Sequence, residues 1–60
     1  MTDTLPKDPV LLLSYVNTQL RDFYGSLQDF CAAADVREEE IREKLAGIDY
    51  RYDETANRFV

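Results

Sequence analysis

Sixty residues with twelve acids against seven bases, a net charge of −5, make one small domain at most. A single cysteine, Cys31, and no histidine exclude an internal disulfide and the usual Cys/His zinc site. The acidity opposes DNA and anionic membrane surfaces alike, and a hydrophobic content of 45% is too rich for a disordered chain.

Met1–Lys7 reads as a polar leader and residues 8–60 as a single domain. Asp8-Pro9 is a helix start, with Asp as N-cap and Pro at the first helical position, where its missing N–H costs nothing. Leu12, Leu13, Val16, Leu20, Phe23 and Tyr24 then fall on one arc of a 3.6-residue helix. The spacing predicts a helix over 9–24, closed by a left-handed Gly25. Its longest apolar run, Pro9–Leu13, is far too short to span a membrane and lacks the flanks of a signal peptide. A cytoplasmic protein is the expectation, and one free thiol suits a reducing compartment.

Ser26 caps a second helix predicted over 27–34, with Asp29 three positions on as a capping-box variant. Leu27, Phe30, Cys31 and Ala34 form its inner stripe. Asp35 occupies the turn, since Asp tolerates the left-handed region, and Val36 is its apolar plug. A third helix is predicted over 37–46, with Ile41 and Leu45 inward and Glu38, Glu39 and Glu40 in the first turn, where the dipole favours acids. Gly47 is expected to end it. The pair is spaced like a helix-turn-helix unit: small at Cys31, a turn former at Asp35, apolar at Phe30, Ala34, Val36, Ile41 and Leu45.

At Ile48 the period changes from 3.6 to 2. Tyr50 and Tyr52 share a face opposite Arg51, Asp53–Asn57 is turn material, and Arg58-Phe59-Val60 returns as a second strand. Ile48–Tyr52 is expected to pair antiparallel with Asn57–Val60. The fold class is therefore mainly α: three helices, the last two helix-turn-helix-like, and a C-terminal β-hairpin in the order of a winged-helix domain. Leu12, Val16, Leu20, Phe30, Cys31, Val36, Ile41 and Leu45 are the expected core.

Three stretches carry a family resemblance: Leu5-Pro-Lys-Asp-Pro9, Val16-Asn-Thr-Gln-Leu-Arg-Asp22 and Tyr52-Asp-Glu-Thr-Ala-Asn-Arg-Phe-Val60. From Leu5 to Val60 the chain resembles a group of very short bacterial proteins, the domain of unknown function 4250 family. The resemblance implies a free-standing bacterial helical protein and no activity that carries over residue by residue.

The residue chemistry points away from catalysis. The glutamates of the third helix face different directions and stay solvated, Cys31 sits on an inner stripe with no histidine to activate it, and no cofactor motif or metal-ligand spacing is present. DNA reading by the third helix is also disfavoured, because Glu38, Glu39 and Glu43 stand among Arg37, Arg42 and Lys44, with Glu40 close by. The alternative of a winged-helix nucleic-acid binder rests on Arg37 and Arg42 with Arg51 and Arg58 of the hairpin. Leu11 and Tyr15 lie well off the main arc of the first helix, and Val10 lies off it on the other side, so that helix begins apolar nearly all round. Either the hairpin covers Leu11 and Tyr15 or a second chain does. The first expectation is thus a small acidic, non-catalytic protein–protein interaction module whose partner is an unknown protein or a second copy.

Overall fold

The computed structural model describes residues 5–60. Helices α1 (Pro9–Asp22), α2 (Leu27–Ala34) and α3 (Glu38–Ala46) precede a hairpin of β1 (Tyr52–Asp53) and β2 (Arg58–Phe59). The strands pair antiparallel, Tyr52 opposite Phe59 and Asp53 opposite Arg58. α1 is the central element and packs against α2, α3 and β2.

Asp8 sits at the N-cap of α1, but its side chain makes no capping bond. Its carbonyl does the work instead, accepting from Leu12 N at 2.8 Å. α1 ends at Asp22, two residues short of the expected end, and Gly25 is not left-handed. The closing residue is Phe23, with φ −128°. The reason lies in the hairpin. Asn57 Nδ2 donates to Leu20 O at 3.2 Å and to Tyr24 O at 2.9 Å, satisfying carbonyls that a glycine cap would otherwise have to cover. With the helix ended, Phe23 swings off the inner arc and is 71% exposed.

Ser26 Oγ accepts from Asp29 N at 3.0 Å, and Asp35 takes the left-handed conformation, φ 59° and ψ 46°, that ends α2. Val36 is half-buried rather than buried. Arg37 serves as the N-cap of α3 rather than its first residue. At the other end Gly47 stays right-handed, φ −63°, and the left-handed residue is Asp49, φ 68°. The chain takes an extra turn there, with Ile48 N bonded to Leu45 O and Tyr50 N also to Leu45 O. That turn uses up Ile48–Tyr50, so the strand starts later than its alternation suggests. Only Arg51–Asp53 pair, opposite Arg58–Val60, Arg51 and Val60 exchanging two bonds of 2.9 Å.

Leu12, Val16, Leu20, Leu27, Phe30, Cys31, Ile41, Leu45 and Phe59 are buried together. Phe59 is the addition that periodicity did not supply: its ring sits 5.4 Å from Tyr52 and closes the open side of the three helices. Leu5, within the expected leader, packs against this core, while its first four residues lie outside the described ones.

Candidate functional site

The hairpin reaches α1 on the side of Asn17. Asn17 Nδ2 donates to Phe59 O at 3.1 Å, and Phe59 N donates to Asn17 Oδ1 at 2.8 Å. On an α-helix Leu11 and Tyr15 are rotated roughly 120–160° from Asn17. The hairpin therefore does not cover them. Leu11 is 59% exposed and Tyr15 is 37% exposed, the latter meeting the edge of Phe30 at 6.2 Å between ring centres. Of the two expected covers for this face, the intramolecular one is removed.

The surroundings of that pair are unusual for this chain. Between Pro9 and Leu20 there is no Asp, Glu, Lys or Arg, although charged residues make up 32% of the whole. Val10, Ser14 and Thr18 are exposed beside Leu11 and Tyr15. The outer side of the first three turns of α1 is thus an uncharged strip. Individual exposed apolar residues need no explanation, and what singles out Leu11 and Tyr15 is that they are neighbours on a neutral strip. The sequence pointed to Leu11 and Tyr15; the neutrality of Ser14 and Thr18 was legible there too.

Of the four arginines of the nucleic-acid alternative, Arg51 and Arg58 share one face of the hairpin, Arg51 opposite Val60 and Arg58 opposite Asp53, with Tyr52 and Phe59 on the other. Arg42 and Arg51 line a cleft between α3 and the hairpin with Tyr50 and Tyr52. Arg58 lines a different groove, beside Ser14, Thr18 and Arg21 of α1. Arg37 lines neither. Arg42 is also engaged at home, 3.4 Å from Glu38 and with its guanidinium 5.5 Å from the centre of the Tyr52 ring. A surface pair at that distance is worth little.

Cys31 is buried on α2, and desolvation, reinforced by the nearby Glu38 charge and offset in part by Arg42, pushes its thiol up to about 11. A nucleophilic cysteine needs the opposite shift. Arg21 and Asp22 hold each other in an exposed pair, Nε to Oδ1 at 2.9 Å, whose hydrogen bond raises the arginine and lowers the aspartate. Among the described residues no group of three His, Cys, Asp or Glu is placed to hold a metal ion, and no helix is long and apolar enough to cross a membrane.

A family model described as Domain of unknown function (DUF4250) matches residues 6–59. No curated protein and no solved structure matches the chain.

Proposed function

The chain belongs to the DUF4250 family, and from that premise we propose that it is a small acidic, non-catalytic protein–protein interaction module whose contact surface is the outer face of α1. One observation carries the reading. Among the described residues, Leu11 and Tyr15 stay exposed on an uncharged strip after the other elements have packed. Tyr suits such a surface, since it offers a large apolar ring with a polar tip that stays wet. A free, buried Cys31 thiol suits a reducing compartment, and we place the protein in the cytoplasm.

The second reading is a winged-helix-like nucleic-acid binder, in which α2 and α3 act as a helix-turn-helix pair and the hairpin as the wing. Its support is the cleft where Arg42 and Arg51 meet Tyr50 and Tyr52. Against it stand Glu38, Glu39, Glu40 and Glu43 on the helix that would enter the groove.

The test is capture from native lysate with tagged wild-type chain and tagged Leu11→Glu, with circular dichroism as the control for folding. A partner held by the wild type and lost by the folded variant supports the reading. A partner held equally by both places the contact surface elsewhere.

A further inference from the structure

We infer that the occupant of the α1 face is a second copy of this chain, docked antiparallel, with Leu11 of each copy on Tyr15 of the partner subunit. The inference rests on the interaction reading above and names its partner.

Charge decides the identity of the partner. Two copies each carrying −5 repel wherever their acids face one another. Asp29 of α2, Glu39, Glu40 and Glu43 of α3 and Glu54 of the hairpin are all exposed, alongside Arg42 and Lys44 of α3 and Arg51 and Arg58 of the hairpin. A charged partner would be drawn to those elements. The outer strip of α1, with Val10, Leu11, Ser14, Tyr15 and Thr18, carries no charge of either sign. It offers a charged protein nothing to pair with, and it lets two like-charged chains approach through apolar contact.

Charge also decides the orientation. Leu11, Tyr15, Thr18 and Asp22 follow one another along one side of α1 at helical spacing. A parallel pairing sets Asp22 against the partner's Asp22 and aligns the two helix dipoles. An antiparallel pairing of Leu11 with the partner's Tyr15 centres the two-fold axis midway between them, at the height of residue 13 along the helix. It then carries Asp22 beyond Pro9, where the partner's helix begins, and opposes the dipoles. Leu11 and Tyr15 are one helical turn, about 6 Å, apart along the axis, so the two equivalent contacts stack as adjacent layers. The contact is smaller than a standard stable interface, so association is expected at concentrations on the order of 100 µM.

Sedimentation velocity of the full chain from about 10 µM to about 1 mM reads the association around that concentration, and mixed variants read the orientation. The wild type should shift from monomer to dimer across the series. Leu11→Lys alone and Tyr15→Glu alone should stay monomeric with unchanged helix content. An equimolar mixture of the two variants should recover dimer. In the antiparallel pair the introduced lysine meets the introduced glutamate at one contact and the native Tyr15–Leu11 contact survives at the other. A parallel pair gives no such match. If Tyr15→Glu loses helix signal, because Tyr15 also touches Phe30, the reciprocal pair Leu11→Glu with Tyr15→Lys is used.

A mixture that stays monomeric while the wild type dimerises overturns the antiparallel register. A wild type monomeric throughout overturns the second copy as occupant. In that case a lysate partner lost by Leu11→Glu keeps the interaction reading alive, and the absence of any such partner removes both.

Discussion

Asn17 and Phe59, forty-two positions apart, are joined by two hydrogen bonds, the amide of Asn17 meeting both the N–H and the carbonyl of Phe59. The side chain does for β2 what a neighbouring strand would do. It lets a two-residue strand lie against a helix without leaving its backbone unpaired. The same contact directs the hairpin to one side of α1 and leaves Leu11 and Tyr15 on the other. Placement of the hairpin and exposure of the candidate surface thus have one cause.

Asn17→Ala should therefore cost more than an exposed polar substitution. It strands a donor and an acceptor that are partly buried, at about 1–3 kcal/mol. A change of 1 kcal/mol shifts the melting temperature of a domain this size by roughly 4–8 °C. The thermal midpoint of Asn17→Ala should fall by about 5–20 °C, read by circular dichroism. A wild-type midpoint would mean that water replaces the amide at no cost and that the hairpin is held by Phe59 alone.

Asn57 performs two tasks that two substitutions separate. Its backbone is left-handed, φ 56°, and its side chain bridges Tyr52 Oη at 2.6 Å to the carbonyls of Leu20 and Tyr24. Tyr52 Oη in turn accepts from Leu27 N at 3.1 Å, so one network holds the end of α1, the start of α2 and the hairpin together. Asn57→Gly keeps the backbone comfortable and loses the network. Asn57→Ala loses the network and adds about 1 kcal/mol of left-handed strain. Both should melt below wild type, the alanine variant lower by a further several degrees. Equal midpoints for the two would show that the turn relaxes out of the left-handed region.

The helices were legible in the sequence because each has local signals: Pro9 at the first position, Ser26 with Asp29, Asp35 in the turn. The end of α1 was misread because the closing role was assigned to Gly25, whereas α3 ends at Ala46 with Gly47 as its cap, as its sequence suggests. The end of α1 is settled by a residue far along the chain, Asn57. Periodicity sees only neighbours, and the Asn17–Phe59 and Asn57–Leu20 contacts span 42 and 37 positions. Phe59 was missed as core for the same reason, since a single aromatic in a terminal strand has no period. Leu11 and Tyr15 were legible as off-arc residues, but which side the hairpin takes was not.

The burial of Phe59 makes the end of the chain part of the fold. A domain of this size holds on the order of 3–5 kcal/mol, and truncating a buried Phe costs about 3–5 kcal/mol. Phe59→Ala should leave the chain largely unfolded at room temperature, as should Ile41→Ala within the helical core, where the cost is about 2–5 kcal/mol. Urea titration followed by helix signal checks both. If Phe59→Ala unfolds at the wild-type midpoint while Ile41→Ala does not, the hairpin is an appendage of a self-sufficient three-helix core.

Cys31 offers a probe of the same core. Its thiol is raised from 9.0 to about 11, first by burial, so the folded state favours the protonated form. Stability from this group is present below about pH 9 and is lost as the pH rises from there through 11. At pH 8 the folded chain carries about a hundredfold less thiolate than the unfolded chain. Reaction with a thiol reagent at that pH should be slower by at least about a hundredfold in buffer than in urea. A fast reaction in buffer would show that α2 opens readily and that Cys31 is not sealed in the core.

The last expectation separates the two functional readings. Non-specific duplex binding has dissociation constants of about 10⁻⁴–10⁻⁶ M at physiological salt and depends on cations displacing counterions from phosphate. Here Arg58 faces one groove, Arg42 and Arg51 another, and Arg42 already leans on Glu38 and Tyr52. The cations available to follow a phosphate backbone are thus few and are held within an acidic surface. Fluorescence anisotropy of a labelled random duplex should show no binding up to about 100 µM protein at physiological salt. Micromolar binding that weakens steeply with salt would promote the nucleic-acid reading. The cleft between α3 and the hairpin would then be the contact: Arg42→Gln and Arg51→Gln should each reduce the salt slope by about 1, and Arg37→Gln should leave it unchanged.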